Sequence, residues 1–311
     1  MELDLFKQDC ETFIRECAGP NNAKVSEAAG LFIAQKLRER SFARQIITPR
    51  IVSRMDLQVA TDHDQLVFID EKEVNVGPAK AINFKAEPDG NYVTTPRYQI
   101  PIFEIASDIY AKKEIELLAS TQPVTKLIEE NTVREMEETE DSYFLQYVDA
   151  AAAVSGNLVT YSTGAGGQLT KGALKAGMNL IETKRLLART VLMSKITFND
   201  FSTMTYQDLG SDLLKEVTVE GYRYYNFLGL KLIVSIKDNL FQHPSQTLAN
   251  GDKARMVYFF AEEKALGRFL VLDATKFGVR RVFNSLEWMA WEFIGIGLGN
   301  TNAVARVTLL D

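Results

Sequence analysis

Residues 123–153 read PVTKLIEENTVREMEETEDSYFLQYVDAAAA. Pro123 suits the first turn of a helix, and Ser120 and Thr121 stand before it as cap candidates. Val124, Leu127, Ile128, Val133, Met136, Phe144, Leu145, Val148 and Ala151 then form a broken apolar stripe, which Ser155-Gly156-Asn157 closes. The spacing predicts one helix over 123–153, about 46 Å long at the α-helical rise. A compact chain of this length is only about 50 Å across. One helix that crosses the whole body is unusual in a compact enzyme. Its charge is unusual too: Glu129, Glu130, Glu135, Glu137, Glu138, Glu140 and Asp141 stand against Arg134 alone.

Upstream the balance reverses. Residues 4–17 and 25–47 carry helical periodicity, with Val25, Ala28, Ala29, Phe32, Ile33 and Leu37 stepping at three and four, and the stretch 17–23 breaks the two apart. From Lys36 to Arg54 the bases Lys36, Arg38, Arg40, Arg44, Arg50 and Arg54 meet Glu39 alone. Two readings follow. The acids form a solvated face, or the basic arm crosses the acidic helix, either its own or that of another copy. On the second reading, reversing Arg38, Arg40 and Arg44 to Glu impairs assembly.

From about 54 to 103 the period changes to two. Leu57-Gln58-Val59, Leu66 to Ile69, Val74-Asn75-Val76, Ile82-Asn83-Phe84 and Ile100-Pro101-Ile102 are short strand-like pieces, punctuated by Gly77-Pro78 and by Pro88-Asp89-Gly90-Asn91. Apolar residues are too sparse here for an independent core, and a two-stranded ribbon is marginal alone in water. Folded into two arms, about 50 residues reach roughly 80 Å. Such a ribbon projects beyond its own body and needs backbone and apolar partners on a neighbour.

Downstream, Gly164-Ala165-Gly166-Gly167 makes a flexible connection. Helices around 170–187 and 205–215 alternate with strands at 190–194 and 229–236, an α/β unit over 158–255. The tail from Met256 reads mostly as strand: 256–260, 269–272, 288–296 and 303–310.

Composition bounds the function. The chain has 311 residues, 46% of them apolar, and 35 Lys and Arg against 41 Asp and Glu give a net charge of −6. That is ordinary globular composition. An acidic whole argues against a general phosphate-binding surface, which needs clustered bases. Cys10 and Cys17 lack histidine partners at ligand spacing, because His63 and His243 are remote in sequence, so zinc is not expected. No basic leader opens the chain, and no run of about 18 apolar residues occurs, so the expectation is a soluble protein made in a reducing cytoplasm. Gly164 to Gly167 has no Gly-Lys-Ser/Thr after it, and Gly295-Ile-Gly-Leu-Gly299 runs into strand rather than helix, so both read as linker or sheet-edge glycines. Gly-x-Ser-x-Gly and His-Glu-x-x-His are missing, and both histidines fall in polar stretches expected to be loops. No residue is nominated as catalytic, cofactor-binding or metal-ligating, and no cofactor is expected.

The order of these parts resembles the major capsid proteins of tailed bacteriophages, whose shell fold is shared with encapsulin compartments and the floor of the herpesvirus capsid. The carrying stretches are Arg97 to Ile105, leaving the ribbon; Glu116 to Ser120, before the long helix; Asn226-Phe-Leu-Gly229 running into Leu230 to Ser235; and the ending from Gly297 through Asn302-Ala303-Val304 to Leu309. The resemblance covers most of residues 50–311. It implies an α+β chain: an N-terminal arm over 1–54, an extended β-loop over 55–103, and a peripheral β-sheet domain over 104–157 and 256–296. That domain would hold a long spine helix at about 123–153, and an axial α/β domain would take 158–255 and 297–311. It implies a non-enzymatic structural protein that self-assembles into hexamers and pentamers of an icosahedral shell around double-stranded DNA, bound without sequence specificity and with no membrane. The implied place is the virion, assembled in the cytoplasm of a bacterial host.

Only about 50 residues precede the loop, so a separate scaffolding protein is the expectation, with portal and decoration proteins as further partners. Some relatives join Lys to Asn covalently beside a Glu. Lys80 and Lys85 lie on the loop and Asn300 and Asn302 near the end, but no acid except Asp311 follows them, so no crosslink is expected. The alternatives are an encapsulin-like compartment holding cargo and, from another class, an α/β small-molecule enzyme.

Overall fold

The structure is a computed structural model that describes residues 11–16, 22–59, 65–71, 96–119, 124–162, 167–200, 226–227 and 229–310. Residues 11–16 are helical. Along the chain follow α1 (Asn22–Arg40), α2 (Phe42–Ile46), β1 (Pro49–Val52), β2 (Gln58–Val59), β3 (Leu66–Glu71), β4 (Arg97–Ala106), β5 (Tyr110–Lys113) and α3 (Glu114–Leu118). The long helix comes next as α4 (Val124–Ile128), a π turn (Glu129–Val133) and α5 (Arg134–Ser155). After it lie β6 (Leu158–Ser162), α6 (Lys171–Glu182), β7 (Ala188–Ser194), α7 (Lys195–Asn199), β8 (Asn226–Phe227), β9 (Leu230–Ser235), β10 (Gln242–Thr247) and β11 (Lys253–Ala261). The chain closes with α8 (Glu263–Leu266), β12 (Gly267–Val282), β13 (Ser285–Leu298) and β14 (Val304–Leu310). The α+β class read from the sequence holds.

The π turn explains the break in the apolar stripe. Ile128 and Val133 are five positions apart and both buried, a spacing that an α-helix would turn to different faces. One extra residue per turn brings them back to the same side. At the far end Gly156 takes a left-handed φ of 69° and donates its N–H to the last helical carbonyls. The buried Asn157 then donates its side-chain amide to the carbonyls of Val304 (2.9 Å) and Asn302 (3.2 Å), fixing the helix end to β14.

Two sheets flank this helix. The first runs β1-β12-β13-β4-β3-β2, with β5 also on β13. Its centre is the β12–β13 hairpin, paired from Gly267↔Leu298 to Val282↔Ser285. The second runs β6-β14-β11-β7-β9-β8, with β10 on β11, and mixes parallel pairs (β6 with β14, β7 with β9) with antiparallel ones. The expected boundary at 255/256 therefore falls inside β11, which belongs to the second sheet through Phe259↔Ala305 and Phe259↔Val191. An apolar strand buried on both faces looks alike in either sheet, and only its pairing partners distinguish them. The boundary at 296/297 likewise cuts β13.

One core runs through the whole body. Ile33 and Ile46 of the arm, Val133 and Phe144 of the long helix, Val191 and Phe259 of the second sheet and Phe277 and Ile294 of the first all belong to it. Phe42, Phe144, Phe241, Phe260 and Tyr258 make a chain of ring contacts with centroids 5.9–6.3 Å apart. A second, small cluster of Val52, Ile100, Ile102, Leu270 and Leu272 sits under Phe68 and Tyr98 at the foot of the ribbon. The foot thus packs at home, contrary to the expectation of too little apolar residue for a core, because β4 joins β13 and β1 joins β12. Residues 72–95, with both expected turns, lie outside the described residues, as does the expected helix at 205–215. Gly295 and Gly297 lie in the middle of the first sheet rather than at an edge, where a Cβ would run into the side chains of Ile100 and Ile102.

Candidate functional site

The acids of the long helix do not form one solvated face. Glu130 and Glu138 point outward and make exposed i,i+4 pairs with Lys126 and Arg134. Glu135 accepts from the Asp108 backbone N–H (3.0 Å) and the Tyr110 hydroxyl (2.7 Å), which holds the β4–β5 turn. Glu129 pairs with Arg40 of the arm. Glu137, Glu140 and Asp141 turn inward to a network that joins four parts of the fold.

Ser41 starts it. The serine caps α2 by accepting the Arg44 backbone N–H, and its hydroxyl lies 2.6 Å from Glu140 Oε1 and 2.9 Å from Asp141 Oδ1. Asp141 also accepts from the Ala43 N–H (3.2 Å). Its Oδ1 takes both bonds and thereby holds the first turn of α2 against the long helix. Arg44, almost fully buried, forks onto Glu140 through Nε (3.0 Å) and Nη2 (2.7 Å) and reaches Glu292 of β13 with the same Nη2 (2.9 Å). Thr275 of β12 donates to Glu292 (3.1 Å). On the other flank Lys237, just beyond β9, bridges Asp141 (2.6 Å) and Glu137 (2.8 Å). The cations also lie over rings, Arg44 over Phe269 and Lys237 over Phe42.

Burial sets the electrostatics. It disfavours the charged form of Arg44, but the carboxylates of Glu140 and Glu292 outweigh it and push the guanidinium's pKa up. Burial pushes Asp141 up to about 7, against the pull of Lys237 and with a further push from Glu140. It raises Glu292 too, with Arg44 pulling the other way. Four carboxyls share two cations, so a proton retained on the acids near neutral pH relieves the excess charge. The hydroxyls beside these carboxyls, those of Ser41 and Thr275, are buried, and that of Ser41 serves as a helix cap, so chemically the arrangement is a clamp. It fastens arm to helix and first sheet, and helix to second sheet.

Basic arm and acidic helix therefore meet within one chain, through Arg40 and Arg44 but not Arg38. The sequence reading missed Ser41, Lys237, Thr275 and Glu292. Two had a signal: Ser41 opens a cap pattern, and Glu292 is a lone acid inside the apolar run from Trp288 to Ile296. Of the residues weighed earlier, Cys10, Cys17, His63, Lys80, Lys85 and residues 164–166 lie outside the described residues. His243 lies in the irregular strand β10 instead of a loop, its Nδ1 accepting from Gln246 N–H (3.0 Å). Asn300 accepts the Asn302 N–H and caps a short turn. Among the described residues no group of three or more His, Cys, Asp or Glu is arranged to hold a metal ion, and no helix is long and apolar enough to cross a membrane.

No family model matches the chain, and no curated protein matches it. Solved structures do. The capsid structure of the cyanophage P-SCSP1u aligns at 13% identity over 86% of this chain and 86% of its own, with a TM-score of 0.56. A structure of Mycobacterium phage Adephagia aligns at 12% over 88% and 90%, also with a TM-score of 0.56. A virus-like particle from Pyrococcus furiosus aligns at 13% over 90% and 98%, with a TM-score of 0.50. The chain has the shell fold of these assemblies.

Proposed function

We infer that this chain is a major capsid protein, a structural subunit that assembles with copies of itself into a closed shell. The coverage carries the reading. The likeness takes in 86% of this chain and 86% of the cyanophage capsid chain. The clamp suits such a subunit, because it fixes the arm on the body with neighbours still to be engaged.

Finer points extend the proposal. The shell is icosahedral, built of hexamers and pentamers, and encloses double-stranded DNA; a net charge of −6 favours packing DNA without adhesion. The second-sheet unit surrounds each capsomer axis. A separate scaffolding protein and a portal complete assembly in the host cytoplasm. The likeness to a virus-like particle supports a second reading, a compartment loaded with protein cargo.

Negative-stain microscopy of the purified chain, with and without scaffold, tests the first reading. Closed shells, tubes or capsomer rings are expected. A discrete monomer at every concentration would overturn it. Nuclease-protected DNA inside particles from infected cells separates a virion from a cargo compartment.

A further inference from the structure

The β12–β13 hairpin ends in a two-residue turn, Phe283-Asn284, closed by the pair Val282↔Ser285. Phe283 has a left-handed φ of 54°, and Asn284 does not share it. A positive φ at the first central residue alone is the type II′ pattern, where glycine is the default because a Cβ is strained there. Phenylalanine is a poor choice for this position. Moreover, the residue is 93% exposed, so among the described residues nothing offsets the strain or covers the apolar surface. Strain kept where it brings no packing at home points to a function elsewhere.

The surroundings narrow the partner. Asn284 accepts from the Glu114 N–H (2.9 Å), which sets the 74%-exposed Ile115 beside the turn. The nearby arginines are neutralised by acids of the same tip, Arg281 by Glu114 (2.6 Å) and Arg280 by Glu287 (2.5 Å). The tip is an apolar knob with a charge-balanced rim, which fits another apolar surface rather than an ionic one.

Such a surface lies toward the open end of the same hairpin. Ile51 (75% exposed) lies on the edge strand β1 opposite Val271 of β12, and Met55 (97%) follows it in the turn whose Arg54 reaches Asp273 (3.6 Å). Ten residues of strand separate Asp273 from Phe283, about 33 Å. Knob and patch cannot meet within one chain. A knob at one end and an apolar patch toward the other define a head-to-tail contact, the kind that closes rings and lattices of identical copies.

We propose that Phe283 is an assembly anchor that docks on the apolar surface of Ile51 and Met55 in a second copy of this chain. The proposal rests on the shell reading above. Phe283→Gly tests it with two readouts that move in opposite directions. Relief of the turn raises the unfolding midpoint of the isolated subunit, whereas loss of the knob raises the critical concentration for assembly roughly tenfold or more. Phe283→Leu keeps an apolar anchor and retains most assembly. Met55→Lys, at an exposed site where the fold tolerates it, reproduces the Phe283→Gly defect. If the wild-type chain never assembles, the shell reading fails and takes this contact with it. If the wild type assembles and Phe283→Gly does so at the same concentration, or is less stable as a subunit, the anchor alone is overturned. Normal assembly of Met55→Lys overturns the receiving patch.

Discussion

Arg38 is exposed, Arg40 reaches Glu129 from a side chain 43% exposed, and Arg44 is 4% exposed between Glu140 and Glu292. Equal charges on one arm thus meet three environments, and reversing or deleting them should not act equally. Arg38→Glu is expected to change the folding free energy by less than about 0.5 kcal/mol, and Arg40→Ala by about 0–1 kcal/mol. Arg44→Leu strands two buried carboxyls and should cost about 3–5 kcal/mol. Urea midpoints of the three variants check the order; an Arg44→Leu chain as stable as the wild type would refute the clamp. The carboxyls add a pH signature. Folded Asp141 keeps its proton up to about 7, whereas an unfolded aspartate releases it near about 4. Between these values the folded chain binds more protons than the unfolded one, so stability falls as pH rises through the window. Glu292, raised as well, acts in the same direction. Asp141→Asn should flatten the decline between pH 5 and 7 in denaturant titrations, and an unchanged slope would contradict the assignment.

Among the elements, the arm helix α1 shows how local sequence and long-range packing divide the information. Its periodicity was legible, and so was the long helix, because both faces repeat over many residues. The two-residue strand β2 and the sheet membership of β11 were not, because short or fully buried strands carry no periodic signature of their partners. The close approach of α1 to the first sheet was equally hidden. Gly30 lies in mid-helix, a position that by propensity alone alanine improves by about 1 kcal/mol. Here a Cβ would stand 2.4 Å from the carbonyl oxygen of Thr275, and that atom is backbone that cannot swing aside. Gly30→Ala should therefore invert the usual sign, lowering stability and making the arm more open to limited proteolysis near Arg38 and Arg40. A stabilised Gly30→Ala chain would show that α1 does not rest on β12.

For the whole molecule the deciding contacts are those most distant in sequence. Arg44 meets Glu140 across 96 positions and Glu292 across 248, and no pattern within a helix or strand encodes such a meeting. Charge segregation pointed to arm and helix; it could not choose Arg44 over Arg38. The order of parts, by contrast, was legible because each part has its own period and its own breaks. Since the core and the clamp both run through arm, long helix and two sheets, these should not melt as independent domains. The chain offers a built-in probe: its two tryptophans, Trp288 and Trp291, both lie in β13 of the first sheet. Tryptophan fluorescence therefore follows that sheet, and far-ultraviolet circular dichroism follows the entire backbone. Below the assembly concentration the two denaturation curves should coincide for the wild type. In Arg44→Leu, where the link between β13 and the long helix is cut, they should separate, with one sheet losing structure before the other. Curves already separate in the wild type would mean that the shared core does not couple the sheets. If they still coincide in Arg44→Leu, the apolar core couples them without help from the clamp.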